Sequence, residues 1–198
     1  MTQAATARGQ DTRDRMVGAT IELLMQGGYA SASVGAVTSG AGVAAGTLYR
    51  HFASKEELFA QVFRDVCSRE EAAMRSAAES AKTATGKLDA IVDVFARRAM
   101  AHPRLAWALL AEPVDTMVEA ERLAYRVRYR DLIAKVLDDG IAAGELARSD
   151  STITASALVG AIGEAMVGPL APSSGPAGDD QLILQLQAIV RRAAGAVN

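Results

Sequence analysis

Two short segments of about two helical turns each, roughly Val34 to Gly40 and Ala44 to His51, follow one another with only Ala41-Gly42-Val43 between them. Helices that short do not persist in water by themselves, so the chain must supply a surface that holds both. A short turn containing glycine is the connection found in helix-turn-helix units. The holding surface is a preceding helix, read from about Thr12 to Gln26, with Val17, Ile21 and Leu24 on one stripe and Gly27-Gly28 marking its end. Val37, Val43, Leu48 and Phe52 are expected to pack on that stripe. Just beyond, Ser54-Lys55-Glu56-Glu57 reads as a capping box, the Ser54 hydroxyl meeting free amides and Glu57 reaching back to the cap. It opens a long helix with Leu58, Phe59, Val62, Phe63 and Val66 on one face, polar and charged beyond Arg69.

The rest of the chain carries the same helical signal, alanine-rich and broken at Gly and Pro. Helices are expected over about Leu88 to Ala101, then through Trp107 and Leu110 to Glu112-Pro113. Further helices follow over Glu119 to Ala143, Ile153 to Val167 and, after a Pro-, Gly- and Ser-rich loop, Asp179 to Ala196. The fold class is therefore all-α. With 198 residues, half of them hydrophobic, there is material for one large domain or two small ones. The expected layout is a flexible arm over 1–10, a helix-turn-helix head over 11–55 and a helical body over 56–198.

The net charge of −2 rules out a global basic field, so any nucleic acid must be met by a local patch. Residues 1–55 hold five basic side chains against three acidic ones, whereas the remainder holds 16 against 20. Cys67 is the only cysteine, and His51 and His102 lie far apart without a companion thiol, so metal-ligand spacing is missing and no cofactor is implied. No Gly-rich phosphate loop or Gly-x-Ser-x-Gly elbow supports an enzyme. The polar N-terminus lacks a signal peptide's apolar core. Ile153 to Ala171 contains Glu164 and three glycines, so it reads as a buried helix and not a membrane span. A cytoplasmic protein is expected.

The segment AGVAAGTLYRHFASKEELF, with RDRMVGATIELLMQGGYASASV before it, resembles the TetR family of bacterial transcriptional regulators over about residues 13 to 66. The resemblance implies a three-helix DNA-binding head, a long fourth helix, and an all-α body that binds an effector and dimerises. It implies phosphate contacts for Thr47, Tyr49, His51 and Lys55, whose polar groups suit phosphate oxygens. Ser33, before the second helix, offers a further anion contact, and Arg8 and Arg13 are expected to reach a groove from the arm. Ala44 stands where the family often has a capping Ser or Thr. Ala44, Ala45 and Gly46 lack the donors needed to read a base. Base preference is therefore expected to rest on Arg50, the Thr47 and Ala45 methyls and DNA shape, assisted by Thr38 and Ser39.

In the body, Leu182, Leu186, Ile189 and Ala193 recur at heptad-like spacing beside Ile183 and Val190, and Ala157 and Ala161 lie in a small-residue helix. In the resembled family the last two helices pair with their copies, which makes these residues the expected homodimer interface. Phe95, Met100, Trp107, Leu110, Met117, Tyr125, Tyr129 and Met166 are ordinary core by composition, and the resemblance adds a ligand cavity among them. Arg130 falls in the stripe Leu123, Val127, Arg130, Ala134, Leu137 and Ile141, and Glu164 interrupts an apolar helix, so each needs a partner if buried. Arg126 or Arg130 is expected to receive a polar group of an otherwise apolar small-molecule effector. The alternatives are a DNA-binding regulator without an effector and an all-α enzyme.

Overall fold

The computed structural model describes residues 2–173 and 180–196, with side chains from residue 9 onward. Among them there is no strand, only an isolated antiparallel bridge between Leu146 and Ala196. The α-helices are α1 (Thr2–Gly27), α2 (Val34–Gly40), α3 (Leu48–His51), α4 (Lys55–Ser80), α5 (Ala84–Ala101), α6 (Pro103–Leu110), α7 (Thr116–Ala142), α8 (Ser151–Leu170) and α9 (Asp180–Ala193). From Thr2 on, the residues expected as a flexible arm form the first turns of α1. Pro103 starts α6 because a first-turn proline gives up no intrahelical bond. The loop expected before the last helix falls, over 174–179, outside the described residues.

The chain divides into two compact units, Met1–Val66 with His102–Arg122 and Cys67–Ala101 with Leu123–Asn198. The first unit runs past residue 55, taking also the front of α4, all of α6 and the start of α7. Charged side chains bring α6 there. Arg104 donates to the Gly27 carbonyl at 2.9 Å and pairs with Glu112, which accepts the Tyr29 amide at 3.0 Å. Gly28, at φ 66°, lies against this pair, and a Cβ there would collide with the guanidinium. Arg122 of α7 donates to the Leu109 and Glu112 carbonyls, each at 2.9 Å, and so closes the C-terminal end of α6.

In the second unit α5 and α9 pack together, α5 burying Leu88, Ile91, Val92 and Ala96 and α9 burying Ile183, Leu186 and Val190. Arg191 pairs with Asp89 at 2.7 Å, and Gln187 donates to the Asp89 carbonyl at 3.1 Å. Asp150 caps α8 by accepting the Ile153 amide at 2.9 Å. Ser151, Ala155, Leu158, Ile162, Met166 and Leu170 form the buried stripe of α8. The helix expected to be buried is so only along this stripe, and just 28% of its apolar stretch is covered. By length and composition this helix is able to cross a membrane. Its buried stripe instead makes it a core helix with an uncovered back.

Truncation of Leu158, 2% exposed, to alanine should destabilise the protein by about 2–5 kcal/mol. Equilibrium urea unfolding should show this as a lower midpoint at unchanged slope.

Candidate nucleic-acid interface

Local chemistry sets each short helix. Ser33 caps α2, its Oγ accepting the Ala36 amide at 3.2 Å. At the other end Gly42 takes φ 65°, and the Val43 and Gly42 amides donate to Thr38 and Ser39 carbonyls at 2.9 and 3.0 Å. These two bonds are a Schellman closure, which needs a left-handed residue and so favours glycine. The following Ala44 offers no side-chain bond to the next amides. The expected helix from Ala44 to His51 accordingly begins as a tight 3₁₀ turn over Ala45–Thr47, and only Leu48–His51 is α-helical. Val37, Leu48 and Phe52 are at most 1% exposed, and α1 presents the buried Met16, Val17, Ala19, Thr20 and Leu24. The capping box of α4 forms: Ser54 Oγ accepts the Glu57 amide at 3.1 Å, and Glu57 accepts the Ala53 amide, one residue earlier than expected.

This scaffold leaves a polar, partly aromatic surface open. Tyr49 is 59% exposed, and Arg50 is exposed with no hydrogen-bond or ion-pair partner among the described residues. Ser33, Ser39, Ala45 and Gly46 are also exposed, and Thr47, His51 and Lys55 are half-buried. The Lys55 ammonium lies 4.9 Å from the Phe59 ring centroid, so its stem rests on apolar surface. Thr38 is a correction to the expected set. It is 3% exposed, and its Oγ1 donates to the Val34 carbonyl at 2.9 Å, so it serves α2 and has no free face.

Two arginines of α1 are engaged within this scaffold. Arg15 donates to the Ala41 carbonyl at 2.9 Å, at the C-terminal cap of α2. Arg13, expected to reach a groove, donates instead to the His51 carbonyl at 2.8 Å and to Gln61 Oε1 at 3.0 Å, with its guanidinium 4.2 Å from the Phe52 centroid. The signal was present in the sequence: Arg13 extends the buried stripe Val17, Thr20 and Leu24 by one helical step. The side chain of Arg8 lies outside the described residues.

Residues 17–62 match the family described as bacterial regulatory proteins, tetR family, and residues 81–166 match the tetracyclin repressor-like C-terminal domain. The chain belongs to the TetR family. It is a helix-turn-helix, DNA-binding transcriptional regulator. The regulator UidR of Escherichia coli (strain K12) is 26% identical over 154 residues, 76% of either chain. The repressor KstR of Mycobacterium tuberculosis is 32% identical over 100 residues, 50% of this chain and 46% of that one. The fatty acid degradation regulator FadR from Bacillus halodurans shares the fold with a TM-score of 0.78 at 20% identity, over 94% of this chain and 96% of that one. FadR from Bacillus subtilis, solved in complex with stearoyl-CoA, gives 0.76 at 19% identity, over 93% and 98%.

The effector residues expected in this TetR-family chain are split between its two units. Trp107, Leu110 and Met117 belong to the first, where Trp107 and Leu110 are half-buried and Met117 is exposed. In the second, Met166 is fully buried, Phe95 and Met100 are half-buried, and Tyr125 is 4% exposed with its hydroxyl 2.6 Å from Ser68 Oγ. Tyr129 donates to the Cys67 carbonyl at 3.4 Å. Of the stripe that includes Arg130, Leu123 and Val127 are exposed and Leu137 is fully buried; α7 also buries Val118, Tyr125, Leu132, Ile133 and Val136. Arg130 pairs with Asp131 at 2.6 Å, while Arg126 and Glu164 are exposed.

The expected dimer residues divide similarly. Ala157, Ala161, Ile189 and Ala193 are exposed and Leu182 is half-buried, but Leu186 and Val190 are 3% and 2% exposed and belong to the core of the second unit. The inward face of α9 is centred on Ile183, Leu186, Val190 and then Ala194, about a quarter-turn from the heptad-like stripe.

Substituting Gly42 by alanine should destabilise the protein by about 1 kcal/mol or more, because a side chain resists its positive φ. Tyr49→Ala should stay within about 0.5 kcal/mol, as at other exposed sites. Thermal denaturation of the two variants separates scaffold from surface. Burial, then the nearby Cys67, pushes the Tyr129 phenol well above its ordinary value. The folded state therefore keeps this proton after the unfolded chain has lost it, so stability falls as pH rises above about 10. Ultraviolet titration of the wild type against Tyr129→Phe should show that the Tyr129 phenol ionises only with unfolding.

Proposed function

We propose that this regulator is a repressor that binds a palindromic operator as a homodimer in the cytoplasm and is released by a small, largely apolar effector. The observation that carries the reading is the polar surface of Tyr49, Arg50, Thr47, His51 and Lys55 on a scaffold that engages Arg13, Arg15 and Thr38 internally. The phenol, hydroxyl, imidazole and ammonium engage phosphates, Ser33 adds another contact beside the cap of α2, and Arg50 has the reach for a base edge. Ala45 and Gly46 admit close approach without hydrogen bonding, leaving Ser39 and DNA shape to refine the choice.

Two such heads on one duplex require a dimer, and half-sites one helical turn apart, roughly 34 Å, make the operator palindromic. The exposed back of α8, with Ile153, Ala157, Gly160 and Ala161, and the flank of α9, with Ile189 and Ala193, supply an uncovered apolar surface for a second copy. Small residues there allow close helix approach. The effector is read as binding the aromatic and methionine residues of the second unit, around Phe95, Met100, Tyr125 and Tyr129. Support comes from the fold neighbours solved with stearoyl-CoA and, in RolR, with resorcinol. Release requires the effector to favour one of two settings of α4, which runs unbroken from Lys55 to Ser80.

Fluorescence anisotropy against DNA from immediately upstream of the protein's own coding sequence, beside a scrambled duplex at fixed salt, tests the reading. Selective, salt-sensitive binding should be abolished by combined Tyr49→Ala and Lys55→Ala. Equal weak binding to both duplexes, repeated after genome-wide site selection, would overturn it. Ala161→Arg should yield a monomer in sedimentation analysis and weaken operator binding; a persistent dimer would place the interface elsewhere.

A further inference from the structure

α3 has four residues, too few for a rigid rod, yet Tyr49 and Arg50 both project from it. Burial of Leu48 and Phe52 holds its depth, but apolar contacts are non-directional and resist rotation weakly. The directional restraint at its carbonyl end is Arg13. One nitrogen of the guanidinium bonds the His51 carbonyl, the other bonds Gln61 Oε1, and the plane lies over Phe52. A rigid planar fork with two acceptors and a ring beneath it has one orientation, which an ammonium on a flexible stem does not reproduce.

Gln61 is itself oriented. Its Nε2 donates to Asp65 at 2.7 Å, and its Oε1 also accepts from Arg64 at 3.0 Å, so the oxygen is the end turned to Arg13. Arg64 in turn pairs with Glu121 of α7 at 2.5 Å. A chain of charge-assisted bonds therefore runs within the first unit from the end of α3, through α1 and α4, to α7.

We propose that Arg13, set by Gln61, is a positioning residue for operator recognition. It fixes the angle of α3 so that Arg50 reaches a base edge while Tyr49 keeps its phosphate, and it touches no DNA itself. The proposal rests on the operator-binding reading above. An α3 free to rock still meets phosphates, because these contacts tolerate small displacements, but base-edge bonds do not.

The test uses the duplex that the full-length wild-type protein selects from a randomised pool, beside a scrambled duplex, across a salt series. Arg13→Lys and Gln61→Met should each lower the ratio of the two affinities by roughly tenfold, the scale of one mismatched base pair. Affinity for the scrambled duplex and its salt slope should not change, and circular dichroism should show a folded protein at the assay temperature. A purely structural role would lower both affinities together with the melting temperature, and would overturn the proposal. So would an unchanged ratio in both variants. Overturning it as well would be wild-type behaviour of Arg13→Lys while Arg13→Gln shallows the salt slope by about 0.9, the mark of a direct phosphate contact. If Arg13→Lys unfolds the head, Gln61→Met, which leaves the bond to His51, decides alone. A wild-type protein that selects no duplex refutes the operator reading itself, and this proposal with it.

Discussion

A helix of four to eight residues leaves most of its carbonyls without an intrahelical donor, and the first unit contains three such helices. Each is closed by an arginine from elsewhere: Arg15 on Ala41 of α2, Arg13 on His51 of α3, and Arg122 on Leu109 and Glu112 at the end of α6. Arg104 does the same for Gly27 at the end of α1. The guanidinium suits this place because it brings several donors in a fixed fork and a positive charge against the negative end of the helix dipole. Hydrogen bonds to charged groups contribute about 1.5–3 kcal/mol each. Five of them are large beside a net stability of about 5–15 kcal/mol.

This use of arginine shapes the electrostatics of recognition. Much of the modest positive charge of residues 1–55 is spent inside the head, on Arg13 and Arg15, and Arg50 remains uncommitted on the surface. On the proposed reading, DNA meets a small patch of one guanidinium, one ammonium, a phenol and hydroxyls. Affinity must then come from pairing two heads, which is why the uncovered backs of α8 and α9 matter as much as the head itself.

The all-α class and the long helices were legible because burial on one side imposes a period near 3.6 residues, which survives in a single sequence. The turn at Gly42 and the capping box at Ser54 were legible because each rests on local geometry available to few residue types. Thr38 was misplaced because hydroxyl and methyl give no sign of whether a threonine faces water or its own helix. Leu186 and Val190 were misplaced because α9 presents one apolar arc, and periodicity cannot divide that arc between the side that meets α5 and the flank left open. In α7 the stripe through Arg130 divides in the same way: Leu137 is buried, whereas Leu123 and Val127 are exposed.

The sequence by itself determined the helices, their order, the short-helix unit and most of its exposed polar residues. These follow from interactions within a few residues along the chain: periodic burial, caps and turn glycines. Only the tertiary structure decided that Arg13 braces α3, that Arg104 and Glu112 bind α6 to the end of α1, and which half of α9 is open. Those contacts join residues separated by 38 to 83 positions. Their partners are mainly backbone carbonyls and amides, which every residue possesses and which leave no mark in a sequence.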